Sequence, residues 1–257
     1  MRMNRLALSL GLALSLSLTA TAETPLEAAK AAFERGDAAE AVRIYSALAA
    51  DGNAKAQYNL AYCYQEGLGI AADRSKARTL LQQAAAQHLP EAEYRLGLLL
   101  LYGTDGVITY EAPAMQSYNT PSPPVRSYAI ALINRAAAQA YLPAIEELAA
   151  IYDRGIGIPA DSRRAVYWYH RAAAKGSTAA QNTLAYHYLR ADGVVRNCPV
   201  ARQLLEQAAA GGDWAASGEL SALYRSGECV EKSAVQAEIW QKKARDTYLR
   251  ATHGQGK

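Results

Sequence analysis

Four histidines and three cysteines are the side chains best suited to metal, redox or nucleophilic chemistry, and their places along the chain give it little support. His88, His170, His187 and His253 are scattered, with no Cys or carboxylate at the spacing that metal ligands keep, so neither a metal nor a cofactor is expected. His170 follows Tyr169 in a helical stretch and reads as a surface residue, not a base. No arrangement of Ser, His and Asp and no pair of carboxylates stands apart from the solvated charges, and no catalytic residue is expected. Cys63, Cys198 and Cys229 make an odd number, so in an exported chain at least one is free or paired between chains. What remains is binding chemistry. Seventeen Tyr against one Phe suit thin interfaces in which a ring is buried while its hydroxyl stays wet.

The elements that must position those rings come from an internal repeat. Ala, Leu and Tyr recur four residues apart at Ala56, Leu60 and Tyr64, at Ala144, Leu148 and Tyr152, at Ala180, Leu184 and Tyr188, and at Ala216, Leu220 and Tyr224. A fifth set, Ala92, Leu96 and Leu100, departs at its last place. The five alanines stand 36, 52, 36 and 36 residues apart, so one insertion interrupts an otherwise fixed period. Alanine pairs seven residues apart, Ala77 and Ala84, Ala129 and Ala136, Ala165 and Ala172, Ala201 and Ala208, Ala237 and Ala244, keep the same register. Both spacings are helical, and small residues at i and i+7 let a partner helix come close, so each unit is an antiparallel helix pair. Between the helices run Gly67, Gly69 and Asp73 in one unit and Gly155, Gly157 and Asp161 in another. Those glycines end a helix and those aspartates begin the next, and no phosphate-binding loop or strand accompanies them.

On these marks the chain resembles the Sel1-like repeat family, a branch of the tetratricopeptide-repeat superfamily, over about residues 53–249. Ala56 to Ala86 and Ala144 to Ala174 match the family pattern most fully, down to Lys76 with Ala77 and Arg164 with Ala165. The implied fold is all-α, a right-handed α-solenoid of antiparallel helix pairs: a capping pair of tetratricopeptide type over 23–52, then five Sel1-like units over 53–249. The superfamily's geometry places the first helix of each pair along a concave groove. It implies groove contacts at Tyr58, Asn59 and Tyr62, at Tyr94 and Arg95, at Glu146, at Asn182 and Tyr186, and at Glu219. His187 then faces away from the groove.

The insertion, set at about 104–126, contains Tyr110, Met115, Tyr118, Pro121, Pro123 and Pro124 and reads as a loop, since prolines this dense cannot continue a helix. Cys198 and Cys229 fall in connectors of adjacent units on one edge of the stack, where a disulfide would staple the C-terminal units; Cys63 holds a place taken elsewhere by Leu99, Ile151 and Leu223 and reads as a buried apolar residue. Residues 250–257 read as a disordered tail.

Residues 1–22 resemble a secretory signal: Arg2 and Arg5, an apolar run from Leu6 to Leu18, and small residues before a cleavage point between Ala22 and Glu23. No Cys follows the run until Cys63, so a lipoprotein anchor is not expected, nor is a membrane span after cleavage. The expected location is periplasmic or secreted. Without Arg2 and Arg5 the 27 basic residues become 25 against 24 acidic, a balance that does not advertise nucleic acid. The expected function is an exported, non-catalytic scaffold or adaptor holding a protein or peptide segment in its groove, in cell-envelope assembly or signalling. Rings and amides serve a sugar face equally well, so a glycan or peptidoglycan binder, with an envelope polysaccharide as partner, is the second reading. The family resemblance adds a third, the cysteine-rich Sel1-type proteins that bind and weakly hydrolyse β-lactams. Those carry a Cys pair in nearly every unit, and this chain has three Cys.

Overall fold

The computed structural model describes residues 24–102 and 122–253. The signal-like segment with its Ala22–Glu23 junction, most of the insertion and residues 254–257 lie outside the described residues. Within them the chain forms α1 (Pro25–Glu34), α2 (Ala38–Ala50), α3 (Ala54–Glu66), α4 (Arg74–Ala86), α5 (Pro90–Tyr102), α6 (Pro123–Ala138), α7 (Leu142–Arg154), α8 (Ser162–Ala174), α9 (Thr178–Arg190), α10 (Cys198–Ala210), α11 (Trp214–Ser226) and α12 (Ala234–His253). Each odd-numbered helix packs on the even-numbered one after it, and each even-numbered helix on the next pair, so six pairs stack in chain order as an all-α solenoid.

Helix starts follow from side-chain caps. Thr24 and Glu27 form a reciprocal capping box at α1, and Asp73, Asp161 and Asn197 accept the N–H groups of Lys76, Arg164 and Val200 at 3.0–3.1 Å. Inside the pairs, Ala77, Ala84, Ala165, Ala172, Ala201 and Ala208 are buried, as the i, i+7 pattern requires. Their thinness brings large residues of the facing helix, Leu60, Leu148, Leu184 and Leu220, into the core.

The connectors close in a common way. Gly67, Gly155 and Gly227, with Ala191 at the same place, take left-handed φ and end the first helix. The backbone N–H that begins the second helix's cap then returns to the first: Asp73 to Tyr64 O, Asp161 to Tyr152 O, Asn197 to Tyr188 O and Ser233 to Tyr224 O, at 2.8–3.2 Å. A second glycine lets one connector touch the preceding unit. A Cβ on Gly69 would lie 2.3 Å from Ala38 O, and one on Gly193 would lie 2.4 Å from the Ser162 carbonyl. In the last unit Cys229 occupies that place, at φ 65°, and Cys198 stands at the start of α10 as Ser162 stands at the start of α8. The expected disulfide joins them, Cα to Cα 5.1 Å, so a covalent bond replaces the glycine contact between units. Cys63 is buried, and burial pushes its thiol up, in keeping with an apolar role.

Two expectations are corrected. Pro123 to Arg126 belong to α6, not to a loop, because proline is well tolerated in the first helical turn, where its missing N–H has no partner to lose; the Arg126 N–H donates to Ser122 O at 3.0 Å. Residues 250–253 are helical, not a disordered tail. No Gly or Pro interrupts α12 before Gly254, and the Tyr248 ring meets Trp214 edge to face at 5.4 Å, holding the extension against α11.

The stacking face changes at the C-terminal end. Ile133 and Ala137 cluster with Ile145 and Leu148 of the next pair, and Leu205 and Ala209 with Leu220 and Leu223. The matching residues of α12 are Gln241 and Arg245, both exposed, so the face on which a further pair would stack is polar.

Gly193→Ala should lower unfolding free energy by about 2 kcal/mol or more, from the added Cβ and the unfavourable φ, whereas Gly218→Ala, exposed within α11, should raise it by about 0.5–1 kcal/mol; urea denaturation of both variants checks this. Equal effects would refute the close approach at Gly193.

Candidate functional site

The first helices of successive pairs place equivalent residues side by side. Counting from the Ala mark of each unit, the fourth and fifth residues are buried and the second and third are not; the sixth is exposed at Tyr62 and Tyr186 and buried at Leu98. In two units the first residue is an amide that ties this helix to the one before. Gln57 Nε2 donates to Ala49 O at 3.3 Å and Gln181 Nε2 to Ala173 O at 3.4 Å. In α5 that place is Glu93, fully buried, held by Arg135 Nε at 2.8 Å and Gln139 Nε2 at 3.0 Å.

The residues expected in the groove differ in their surroundings. Tyr62 and Tyr186, sixth in their units, are open, at 43% and 45% exposure. Tyr58 and Tyr94, second in theirs, are half-buried: Tyr58 packs against the alanine and leucine clusters between α3, α4 and α5, and Tyr94 meets the Tyr141 ring edge to face at 5.5 Å. Burial, with the Glu91 carboxylate nearby, pushes the Tyr58 and Tyr141 hydroxyls up, against the opposing pull of Arg95. Asn59 lies beside the Tyr45 hydroxyl, Arg95 donates to Gln65 Oε1 at 3.3 Å, and Glu146 is half-buried on α7. Asn182, Tyr186 and Glu219 come together. With Thr183, Leu189 and Leu205 they line a cavity of about 230 Å³ between α9, α10 and α11. The Arg190 guanidinium covers one face of the Tyr186 ring at 4.3 Å.

Two features escaped the sequence. The Tyr102 hydroxyl donates a short hydrogen bond to Glu147 Oε1, bridging α5 and α7 across the interrupted period. Burial, then the Glu147 charge and the bond itself, push the Tyr102 hydroxyl far up. Folding also brings His187, Asp153 and Asp192 together, each offering a ligand atom within 4.8 Å of the others, a set that spacing along the chain did not reveal. His170 is exposed as expected, its Nε2 2.9 Å from the Tyr188 hydroxyl; His187 is buried, away from the open face.

A stack of six helix pairs with an open polar and aromatic face defines an α-solenoid interaction protein. The chain belongs to the Sel1 repeat family, whose model matches residues 54–89, 90–109, 142–177, 178–213 and 215–246, more than half of the sequence. Among solved structures it is similar to c5321, a protective antigen of uropathogenic Escherichia coli strains with an SLR fold, at 27% identity and TM-score 0.71, covering 80% of this chain and 41% of that one. A Sel1 repeat protein from Oxalobacter formigenes shares the fold at 24% identity and TM-score 0.74, over 86% of this chain and 84% of that one. Among curated proteins, chitin synthase regulator SKT5 of Saccharomyces cerevisiae is 36% identical over 78 residues, 30% of this chain and 11% of its own. Chitin synthase regulatory factor 3 of Schizosaccharomyces pombe is 26% identical over 166 residues, 52% of this chain and 17% of its own. The chain therefore matches a small part of either regulator.

Because the Tyr102 phenol is favoured neutral in the folded chain, its contribution is present below the unfolded value of about 10 and is lost as pH rises beyond it. Stability should fall above about pH 10, and Tyr102→Phe should flatten that fall while lowering stability at pH 7 by about 1 kcal/mol through the unpartnered Glu147. Denaturation curves at pH 7, 9 and 11 test both.

Proposed function

We propose that this chain is an exported, non-catalytic scaffold that holds a segment of a partner protein along the face made by α3, α5, α7, α9 and α11. The observation that carries the reading is the cavity where Asn182, Thr183, Tyr186 and Glu219 converge from consecutive units. Amide and carboxylate groups beside a half-exposed ring suit a peptide, whose backbone supplies both donors and acceptors and whose side chains supply apolar stems for Leu189 and Leu205. Farther along, Tyr102 with Glu147 and Arg95 with Gln65 satisfy one another across neighbouring helices, which stiffens the face before any ligand arrives. The relatives named as regulators of chitin synthase support a role exerted on another protein, and no helix among the described residues is long and apolar enough to cross a membrane. Export is supported by the signal-like residues 1–22 and by the disulfide, which persists in an oxidising compartment. Cell-envelope assembly or signalling is the setting we infer.

A photo-crosslinking residue at Tyr62 or Tyr186, compared with one at Tyr167, which is 56% exposed on the second helix of its unit, tests the reading in the native envelope. Discrete protein adducts from Tyr62 and Tyr186 but not from Tyr167 are expected. Heterogeneous polymer alone would transfer the role to a glycan, and identical products from all three positions would reject the face.

A further inference from the structure

The repeat supplies its own internal reference, and three departures from it meet at one point. The place filled by Cys63, Leu99, Ile151 and Leu223 in other units, buried in all of them but Leu99, holds His187 in α9, 2% exposed. The place of Leu68 and Ile156 holds Asp192, in the connector after α9, as it holds Glu228 in the connector after α11. Two places beyond Ile151, where other units have Gln65, Leu101, Leu189 and Arg225, α7 carries Asp153. A solenoid core that accepts leucine at the first of these positions has no packing reason to bury an imidazole there with two carboxylates beside it.

The geometry points to a site for one divalent transition ion of the Zn²⁺ type, held at the seam between the α7–α8 pair and the α9–α10 pair by His187, Asp153 and Asp192. His187 Nδ1 lies 3.0 Å from the Asp192 backbone carbonyl, a contact that takes the Nδ1 proton and leaves Nε2 with its lone pair. Nε2 faces Asp153 Oδ1 at 3.5 Å, long for a hydrogen bond, and two lone pairs do not hold each other. Two ligand atoms each about 2.0–2.1 Å from a tetrahedral ion stand roughly 3.3–3.5 Å apart, which is this separation. Asp192 Oδ2 is 3.3 Å from Nδ1, the other ring nitrogen, so its half-exposed side chain must turn toward Asp153 to supply the third ligand. The outer contacts are those that orient a ligand set: the carbonyl fixes the imidazole tautomer, and the Tyr169 hydroxyl reaches Asp153 Oδ2 at 3.4 Å. One nitrogen and two oxygens select a borderline ion over Ca²⁺, which takes oxygen alone. Bound there, the ion would fasten two units through side chains of α7 and α9 and the connector that follows α9. This inference stands apart from the proposed partner.

The test is calorimetric titration of ZnCl₂ into the full chain without a polyhistidine tag, with thermal unfolding beside it. One saturable site is expected, with a Tm that rises on addition of Zn²⁺ and returns with a chelator. His187→Leu restores the residue of sibling units, so it should fold as well as the parent while binding Zn²⁺ at least tenfold more weakly; Asp153→Asn should weaken binding as well. Saturable binding unchanged in His187→Leu would place the ion elsewhere and overturn the site. Absence of saturable binding by the parent chain would also overturn it.

Discussion

The separation between neighbouring pairs is set at two places where backbone meets backbone, at the second glycine of the connectors after α3 and α9. Gly69 lies against the first turn of α2 and Gly193 against the first turn of α8, so close that no side-chain carbon fits between them. Contact at one edge fixes where the α3–α4 and α9–α10 pairs land on the pairs before them. The buried alanines of the second helices set the spacing within the pair, and the large leucines of the first helices fill what remains. The open face follows from this arithmetic. In α3 and α9 the sixth residue comes to the same side, and Tyr62 and Tyr186 share an exposure although 124 residues separate them, whereas Leu98 at that place in α5 is buried.

Much of this was legible in the chain. Alanines at i and i+7 announced a close helix pair, Asp73 and Asp161 announced helix starts, and the places of Cys198 and Cys229 put their sulfurs on one edge. The missed features share a cause. The start of α6 at Pro123 and the persistence of α12 to His253 depend on local tolerance and on a tertiary ring contact, neither of which a composition-based loop reading registers. Tyr58 and Tyr94 were placed on the right helices but not at the right depth. Tyr94 reaches along the stack to Tyr141, whereas Tyr62 and Tyr186 lie open. Asp153 and His187 were invisible as a pair because their nearness arises from stacking, which a spacing rule for metal ligands does not contain.

The face is unevenly built along its length. At its middle the polar side chains answer one another across helices, as Tyr102 answers Glu147. Toward α11 the same kinds of groups surround space, with Asn182, Thr183 and Glu219 turned to a cavity. Affinity gained in a satisfied region comes from shape, and affinity gained in an open one comes from completed hydrogen bonds, so a bound segment would be gripped mainly near α9 and α11 and guided elsewhere.

The bond between Cys198 and Cys229 gives the stack a direction. In a linear array each pair is stabilised by its neighbours, and the terminal pairs, having one neighbour instead of two, open first. The disulfide ties the last pair covalently to the one before it, so those two open as a single block. The first pair, α1 and α2, has no such tie to α3. Unravelling therefore enters from the α1 end and runs toward the clamp, and the cavity between α9 and α11 lies in the part of the molecule that lets go last.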